Sequence, residues 1–416
     1  MSIKEEFTKF LWESPTPYHF VKNAKELLLQ SGYVELKEAE HWNEIPTKFF
    51  VIREETSILA INQNGFSKGV LIGAHCDSPC LRLHPDQKNS SSPVVEVIPY
   101  GSPLVFTWFD RELKLAGKVI FRRDGKLVSK LINTREPIAF IPNQAIHLSS
   151  SPSNAMKLDI RYVKPVVNYF GDHPIKSIIA NEVGCKVEDI ECYDLIFSSS
   201  DPPTFTGASE NILLSQRLDD QTNAISAIRS LSRSETPREG FCAAVIFNNE
   251  EIGSNSFSGA RSTLLYDVFS RVAPNNSALQ GLHSSLFLSA DNLHATHPNW
   301  STLHEEHHSL PLGSGVGISY HRANFFSTEG CTGAEIIEIM KKSDVKYVKT
   351  ISQNTKNTGG TIGRFVVSQL GMRGVDIGIP ILGMHSFKET GCFDDIVMME
   401  KLFDGSYKYG PQLNFN

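Results

Sequence analysis

Val70-Leu71-Ile72-Gly73-Ala74-His75-Cys76-Asp77 is a short continuous apolar run that stops abruptly on polar side chains. Unbroken apolar character over so few residues marks a strand buried on both faces, as in a sheet covered by helices on either side. The design recurs three times in the second half. Cys242 to Phe247 runs into Asn248-Asn249-Glu250-Glu251, Leu286 to Ala290 into Asp291, and Ile379 to Met384 into His385. In open α/β sheets ligands bind just beyond the carboxyl ends of strands. The four endings are therefore expected to meet in one crevice.

Helical patterns lie between these runs, over Asp220 to Leu231, Thr332 to Lys342 and Thr361 to Leu370. Nearer the start, Phe20, Val21, Ala24, Leu27 and Leu28 follow an amphipathic helical spacing that Gly32 ends, and Phe49 to Asn62 is rich in β-formers. The alternation predicts an α/β fold, a mixed sheet flanked by helices, built from residues 1–80 and 209–416. Residues 81–208 read differently, with many prolines and serines, short β-rich pieces at Val94 to Ile98 and Lys118 to Phe121, and little helical periodicity. They are expected to form an inserted β-rich domain, and a chain of 416 residues suits two domains.

Composition narrows the partners. Lysine and arginine total 40 against 46 acids, a net charge of -6 without a basic block, so neither nucleic acid nor membrane is an expected partner. Met1 to Glu6 lacks a signal-like apolar region and no apolar run approaches the length of a membrane span, which makes the cytoplasm the expected location. The seven cysteines, from Cys76 to Cys392, lack CxxC pairing and read as reduced, mostly buried thiols.

Hydrolysis by a pair of cations needs nitrogen and oxygen ligands with one carboxylate shared between the ions. His75, Asp219, Glu251, Asp291 and His385 supply that set. Asp219 opens a helical pattern in Ser215-Gln216-Arg217-Leu218-Asp219-Asp220, and its two oxygens suit bridging. Asp219, Glu251 and His385 are assigned to one zinc ion, and His75, Asp219 and Asp291 to the other, leaving each ion an open position. Glu250 is the expected general base. Asp77, two residues past His75, is expected to accept the second imidazole N–H and fix the tautomer.

The order and context of these residues closely resemble the aspartyl aminopeptidase family of zinc peptidases. The likeness runs through Ser14-Pro15-Thr16-Pro17-Tyr18-His19, Ala74-His75-Cys76-Asp77-Ser78-Pro79-Cys80, Thr107-Trp108-Phe109-Asp110-Arg111-Glu112-Leu113 and Ala145-Ile146-His147. It continues in Arg217-Leu218-Asp219-Asp220, Asn249-Glu250-Glu251-Ile252-Gly253-Ser254, Ser289 to Asn299, Gly360-Thr361-Ile362-Gly363 and Gly383-Met384-His385-Ser386. The resemblance implies a zinc-exopeptidase fold, two Zn2+ per subunit with Mn2+ or Co2+ as substitutes, and peptide substrates that lose their N-terminal residue. It also implies that residues 81–208 make dimer contacts, that dimers assemble into a tetrahedral dodecamer, and that His147 and His297 bind substrate.

Two departures stand out. The family's Pro-Val-Ile-Lys run, whose lysine is thought to contact the substrate side chain, is replaced by Gly313-Ser314-Gly315-Val316-Gly317-Ile318-Ser319, so an acidic side chain would lose a cationic partner. Asn248 stands where an acid is usual, outside the ligand set. His304-Glu305-Glu306-His307-His308 matches HExxH literally, yet that motif works on a helix and prolines flank this segment, so a polar loop is expected. The alternatives are a catalytically silent assembly protein, whose mark would be a missing ligand or base, and a deacylase or other amidase on the same metal framework.

Overall fold

The computed structural model describes residues 2–87, 93–148, 160–169, 175–273, 275, 277–321, 325–351 and 359–412. The chain divides into two compact units, one comprising Met1–Asp77, Thr204–Met384 and Glu389–Asn416, the other Ser78–Pro203 with His385–Lys388.

The first unit is organised by a nine-stranded sheet of β1 (Val34–Glu35), β2 (Lys48–Arg53), β3 (Ser57–Asn64), β4 (Gly69–His75), β5 (Gly240–Phe247), β6 (Leu286–Ala290), β7 (Val316–Tyr320), β8 (Tyr347–Ile351) and β9 (Arg373–Gly378). Its spatial order is β1-β2-β3-β5-β4-β6-β9-β7-β8. The four central strands β5, β4, β6 and β9 are mutually parallel, while β3 and β7 run antiparallel on either side of them, so the sheet is mixed as expected.

Burial explains the unbroken apolar runs. Along β4, Val70, Ile72 and Ala74 enter one core and Leu71 the other; along β5, Cys242, Ala244 and Ile246 alternate in the same way with Phe241, Ala243, Val245 and Phe247. Successive strand side chains point to opposite faces, so a strand with a core on each side favours apolar residues throughout and takes a polar one only where it finds a hydrogen-bond partner. The first core takes its helical walls from Ile3–Trp12, Pro17–Gln30, Leu218–Arg233, Gly330–Lys342 and Phe393–Tyr409, the second from Leu264–Arg271, Ser277–His283 and Gly363–Leu370. The helix Phe393–Tyr409 escaped the sequence pattern because its buried face mixes Asp395, Glu400 and Ser406 with apolar residues.

One expected strand is placed differently. The run from Ile379 to Met384 does not continue the central sheet; Pro380–Leu382 joins a separate five-stranded sheet with Thr204–Thr206, Ile212–Ser215, Glu389–Cys392 and Leu293–His294. The central strand here is β9, one step earlier in the chain, and its polar Arg373 and Asp376 hid it from an apolar-run search.

The second unit carries an antiparallel sheet in the order Val97–Tyr100, Cys80–Leu83, Ile190–Ser199, Glu112–Arg123 and Lys126–Asn133, with Ala139–Phe140 paired to the start of the longest strand. Trp108, Phe121, Phe197 and Phe387 lie in its core. A helix over Ile175–Val183 packs there too, an element absent from the sequence reading. All seven cysteines are free, and Cys76, Cys80, Cys242 and Cys392 are buried.

Candidate metal centre

Three of the central strands deliver the site. Phe247 at the end of β5 is in register with His75 at the end of β4, and Ser289 of β6 pairs with Gly73, which brings Asp291 level with His75. Past Phe247 the chain turns through Asn249, whose φ of 61° lies in the left-handed region, into a single 3-10 turn carrying Glu250 and Glu251. Asp219 arrives from another direction, at the start of the helix Leu218–Arg233, after Arg217 with φ 63°. Left-handed backbone at non-glycine residues costs of the order of 1 kcal/mol or more, and such strain gathers where a side chain must be aimed.

The outcome is a compact cluster. His75 Nε2 lies 3.6 Å from Asp219 Oδ1 and 3.7 Å from Asp291 Oδ1. Two triads, His75 with Asp219 and Glu251 and His75 with Asp220 and Asp291, each offer donor atoms within 4.8 Å of one another. Asp220 was not among the residues singled out beforehand. It is fully buried, its Oδ2 accepts the His75 backbone N–H at 3.1 Å, and its Oδ1 accepts Asn223 Nδ2 at 2.5 Å. An Asp-Asp pair opening a helical pattern gave no signal to separate one role from the other.

Asp77 differs in detail from expectation. His75 Nδ1 lies 3.0 Å from the Asp77 backbone oxygen and 3.4 Å from its carboxylate, while that carboxylate accepts the backbone N–H groups of Glu250 at 3.1 Å and Glu251 at 3.2 Å. It thus ties the turn beyond β5 to the end of β4. A hydrogen bond at Nδ1 leaves Nε2 as the nitrogen facing Asp219 and Asp291.

Electrostatics describes a site built for cations. Burial alone would depress the His75 imidazole, but the facing Asp219, Asp291 and Asp77 outweigh it and hold it well above its ordinary range. Burial pushes Asp291 up to about 6 and Glu250 up to about 8, with neighbouring acids adding to both. Burial also drives Glu251 and Asp220 well upward, reinforced by the charges of Asp219 and Asp291 respectively. Acids packed this closely in low dielectric hold protons unless positive charge replaces them. Imidazole nitrogen and carboxylate oxygen are zinc donors, so the residues present fit that ion.

His385 lies in the second unit, with its Nδ1 3.2 Å from Ser102 O and φ 68°, and neither triad includes it. His147 is exposed on a 3-10 turn, Ile146–Leu148, of the same unit. His297, in the first unit, stacks on Trp300 at 4.3 Å and donates its backbone N–H to His304 Nε2 at 3.2 Å. The HExxH look-alike is not helical: His304 follows the 3-10 turn Ser301–Leu303, and His308 Nδ1 bonds Glu305 at 2.6 Å. Beyond it, Gly313 and Gly315 donate their backbone N–H groups to the Asp395 carboxylate, and Ile318 is buried in the core.

Imidazole and carboxylates clustered at the carboxyl edge of an α/β sheet, beside a second glutamate, are the equipment of a metal-dependent hydrolase. The chain belongs to the aminopeptidase I zinc metalloprotease family, M18, whose profile matches residues 10–407, and is a metal-dependent aminopeptidase. It is 32% identical to the aspartyl aminopeptidase of Caenorhabditis elegans, over 97% of this chain and 94% of that protein. It is also 32% identical to a probable M18 family aminopeptidase 2 of Pseudomonas fluorescens, over 97% and 98%. Among solved structures, the Ape4 and Nbr1 complex matches with a TM-score of 0.92 and 29% identity, covering 97% of this chain and 85% of that one. The S. cerevisiae mApe1 dodecamer matches with a TM-score of 0.86 and 26% identity, covering 99% and 97%. Among the described residues, no helix is long and apolar enough to cross a membrane.

Proposed function

We propose that this aminopeptidase holds two zinc ions, one on His75, Asp219 and Asp291 and the other on Asp219, Glu251 and His385, with Glu250 as general base. The observation that carries the reading is the approach of His75 Nε2 within 3.7 Å of both Asp291, which follows the adjacent parallel strand, and Asp219 at the start of a helix. When bound, the ions supply Lewis acidity, lowering the pKa of a water molecule and polarising the scissile carbonyl.

The protein's own groups do the rest. Glu250, on the turn just beyond β5, takes the proton of the attacking water and returns it to the departing amine. Asp77 fixes the backbone that carries Glu250 and Glu251 by accepting both of their N–H groups. His147 and His297 are assigned to the substrate, His147 from a neighbouring subunit. By analogy with the mApe1 dodecamer, the chain assembles as a homo-oligomer, a tetrahedral dodecamer of dimers joined through residues 81–208, acting in the cytoplasm. The C. elegans relative supports an acidic N-terminal residue in the substrate, whereas Gly313 to Ser319 lacks a lysine to receive it.

The test compares Glu250→Ala with Asp219→Ala. Glu250→Ala should keep its zinc and lose turnover by roughly 10³-fold or more. Asp219→Ala should lose zinc as well, because one change removes a ligand from both ions. Near-normal peptide hydrolysis by either variant refutes the assignment, and a panel of aminoacyl fluorogenic substrates on the parent protein reads the preferred N-terminal residue.

A further inference from the structure

We propose that Glu389 is a positioning residue for the shared zinc ligand, aiming Asp219 by holding its backbone N–H; the inference rests on reading Asp219 as that ligand. Glu389 begins the strand Glu389–Cys392, which pairs antiparallel with Ile212–Ser215 so that Glu389 stands opposite Ser215. From Ser215 the chain turns through Gln216 and the left-handed Arg217 into the helix bearing Asp219. Glu389 reaches across this turn, and its Oε2 accepts the Asp219 N–H at 3.0 Å. The residue is 2% exposed.

The local backbone makes such an anchor necessary. Asp219 sits in the first turn of its helix, where an N–H has no intrahelical acceptor. Its φ of -80° and ψ of 112° are not helical either, so the helix does not dictate where its side chain points. Fixing the N–H fixes one of the bonds at Cα and thereby the sector into which the carboxylate projects.

The same device serves the rest of the cluster. Asp220 holds the N–H of His75, and Asp77 holds those of Glu250 and Glu251. Four residues of the site thus have their backbones pinned by carboxylates from other segments. In Glu389 the carboxylate acts through Asp219, not on substrate, and groups of this kind set metal affinity by orienting the ligands.

The experiment compares full-length Glu389→Gln, Glu389→Asp and Glu389→Ala with the parent and with Asp219→Ala. Zinc affinity is read by chelator competition, ligand geometry by the visible absorption of the Co2+-substituted protein, and folding by the melting of metal-free protein. Glutamine keeps an acceptor oxygen at the same reach, so Glu389→Gln should stay within about threefold of the parent, while the shorter aspartate and alanine should lower zinc affinity roughly 10- to 100-fold and shift the cobalt spectrum. If Glu389→Asp and Glu389→Ala keep parental affinity and spectrum while Asp219→Ala loses metal, Glu389 has only a structural role and the proposal falls alone. Equal losses in Glu389→Gln and Glu389→Ala overturn it too, since the accepted hydrogen bond would not be the determinant. Should Asp219→Ala itself retain both ions, the assignment of Asp219 fails and takes Glu389 with it. If alanine prevents folding, the order of Gln and Asp alone decides.

Discussion

Gly378 carries no functional group, yet Gly378→Ala should disable the enzyme. It ends β9, beside β6 and the Asp291 that follows it. A Cβ built there would stand 1.7 Å from the Asp291 carbonyl oxygen and 2.9 Å from Leu293 Cγ, whereas real Cβ contacts stop near 3.0 Å. One backbone must retreat by more than an ångström, and two bonds resist it, Asp291 N–H to Ile377 O and Leu293 N–H to Ile379 O, both 3.0 Å. Overpacking costs about 1–3 kcal/mol and each of the two weakened bonds about 1 kcal/mol more, so a destabilisation of about 3–5 kcal/mol is expected. Displacing Asp291 by an ångström should separately cost roughly 10²-fold in kcat/KM. The assays are the melting of metal-free protein, zinc per subunit, and kcat/KM. Gly330→Ala is the control, because nothing lies within 4 Å of its Cβ position. Parental melting, zinc content and kcat/KM in Gly378→Ala would refute the claim that close backbone approach sets the position of Asp291.

Further expectations concern the cluster itself. Asp77→Asn replaces one of two oxygens that accept backbone N–H groups with a donor, so it should cost about 1.5–3 kcal/mol and lower both zinc affinity and kcat, read by melting and chelator competition; an unchanged zinc affinity would count against its role as a clasp. The raised carboxyls of Glu250 and Asp291 and the raised imidazole of His75 mean that the metal-free fold holds protons its unfolded chain would release, so its stability should fall as pH rises from about 4, where the unfolded carboxyls ionise, to about 8. Zinc must displace those protons, so its affinity should rise across the same window; calorimetry in buffers of different ionisation enthalpy measures the release, and a pH-independent affinity contradicts it. The double substitution His304→Ala with His308→Ala should leave peptide hydrolysis intact, because that segment is not helical; complete loss of activity in a folded, assembled protein would restore the HExxH reading.

Much of this protein was legible in its sequence because burial leaves a simple trace. A central parallel strand has no solvent face, so β4, β5 and β6 appear as apolar runs, and the first polar residue after each run marks where the chain leaves the sheet at its ligand-binding edge. His75, Glu250, Glu251 and Asp291 were singled out in this way. Tertiary structure decided what has no local period. It paired β4 with β6, so that His75 and Asp291 meet, and it moved Pro380–Leu382 into a second sheet while giving the central place to β9, where Asp376 is satisfied by Thr361 and Ser327. It also set Asp220 and Glu389 as acceptors for N–H groups lying 145 and 170 residues away in the chain. Apolar burial recurs from residue to residue along a central strand and so leaves a repeating trace in the sequence, whereas a single hydrogen bond between distant segments is specified only once, by the way the chain closes on itself.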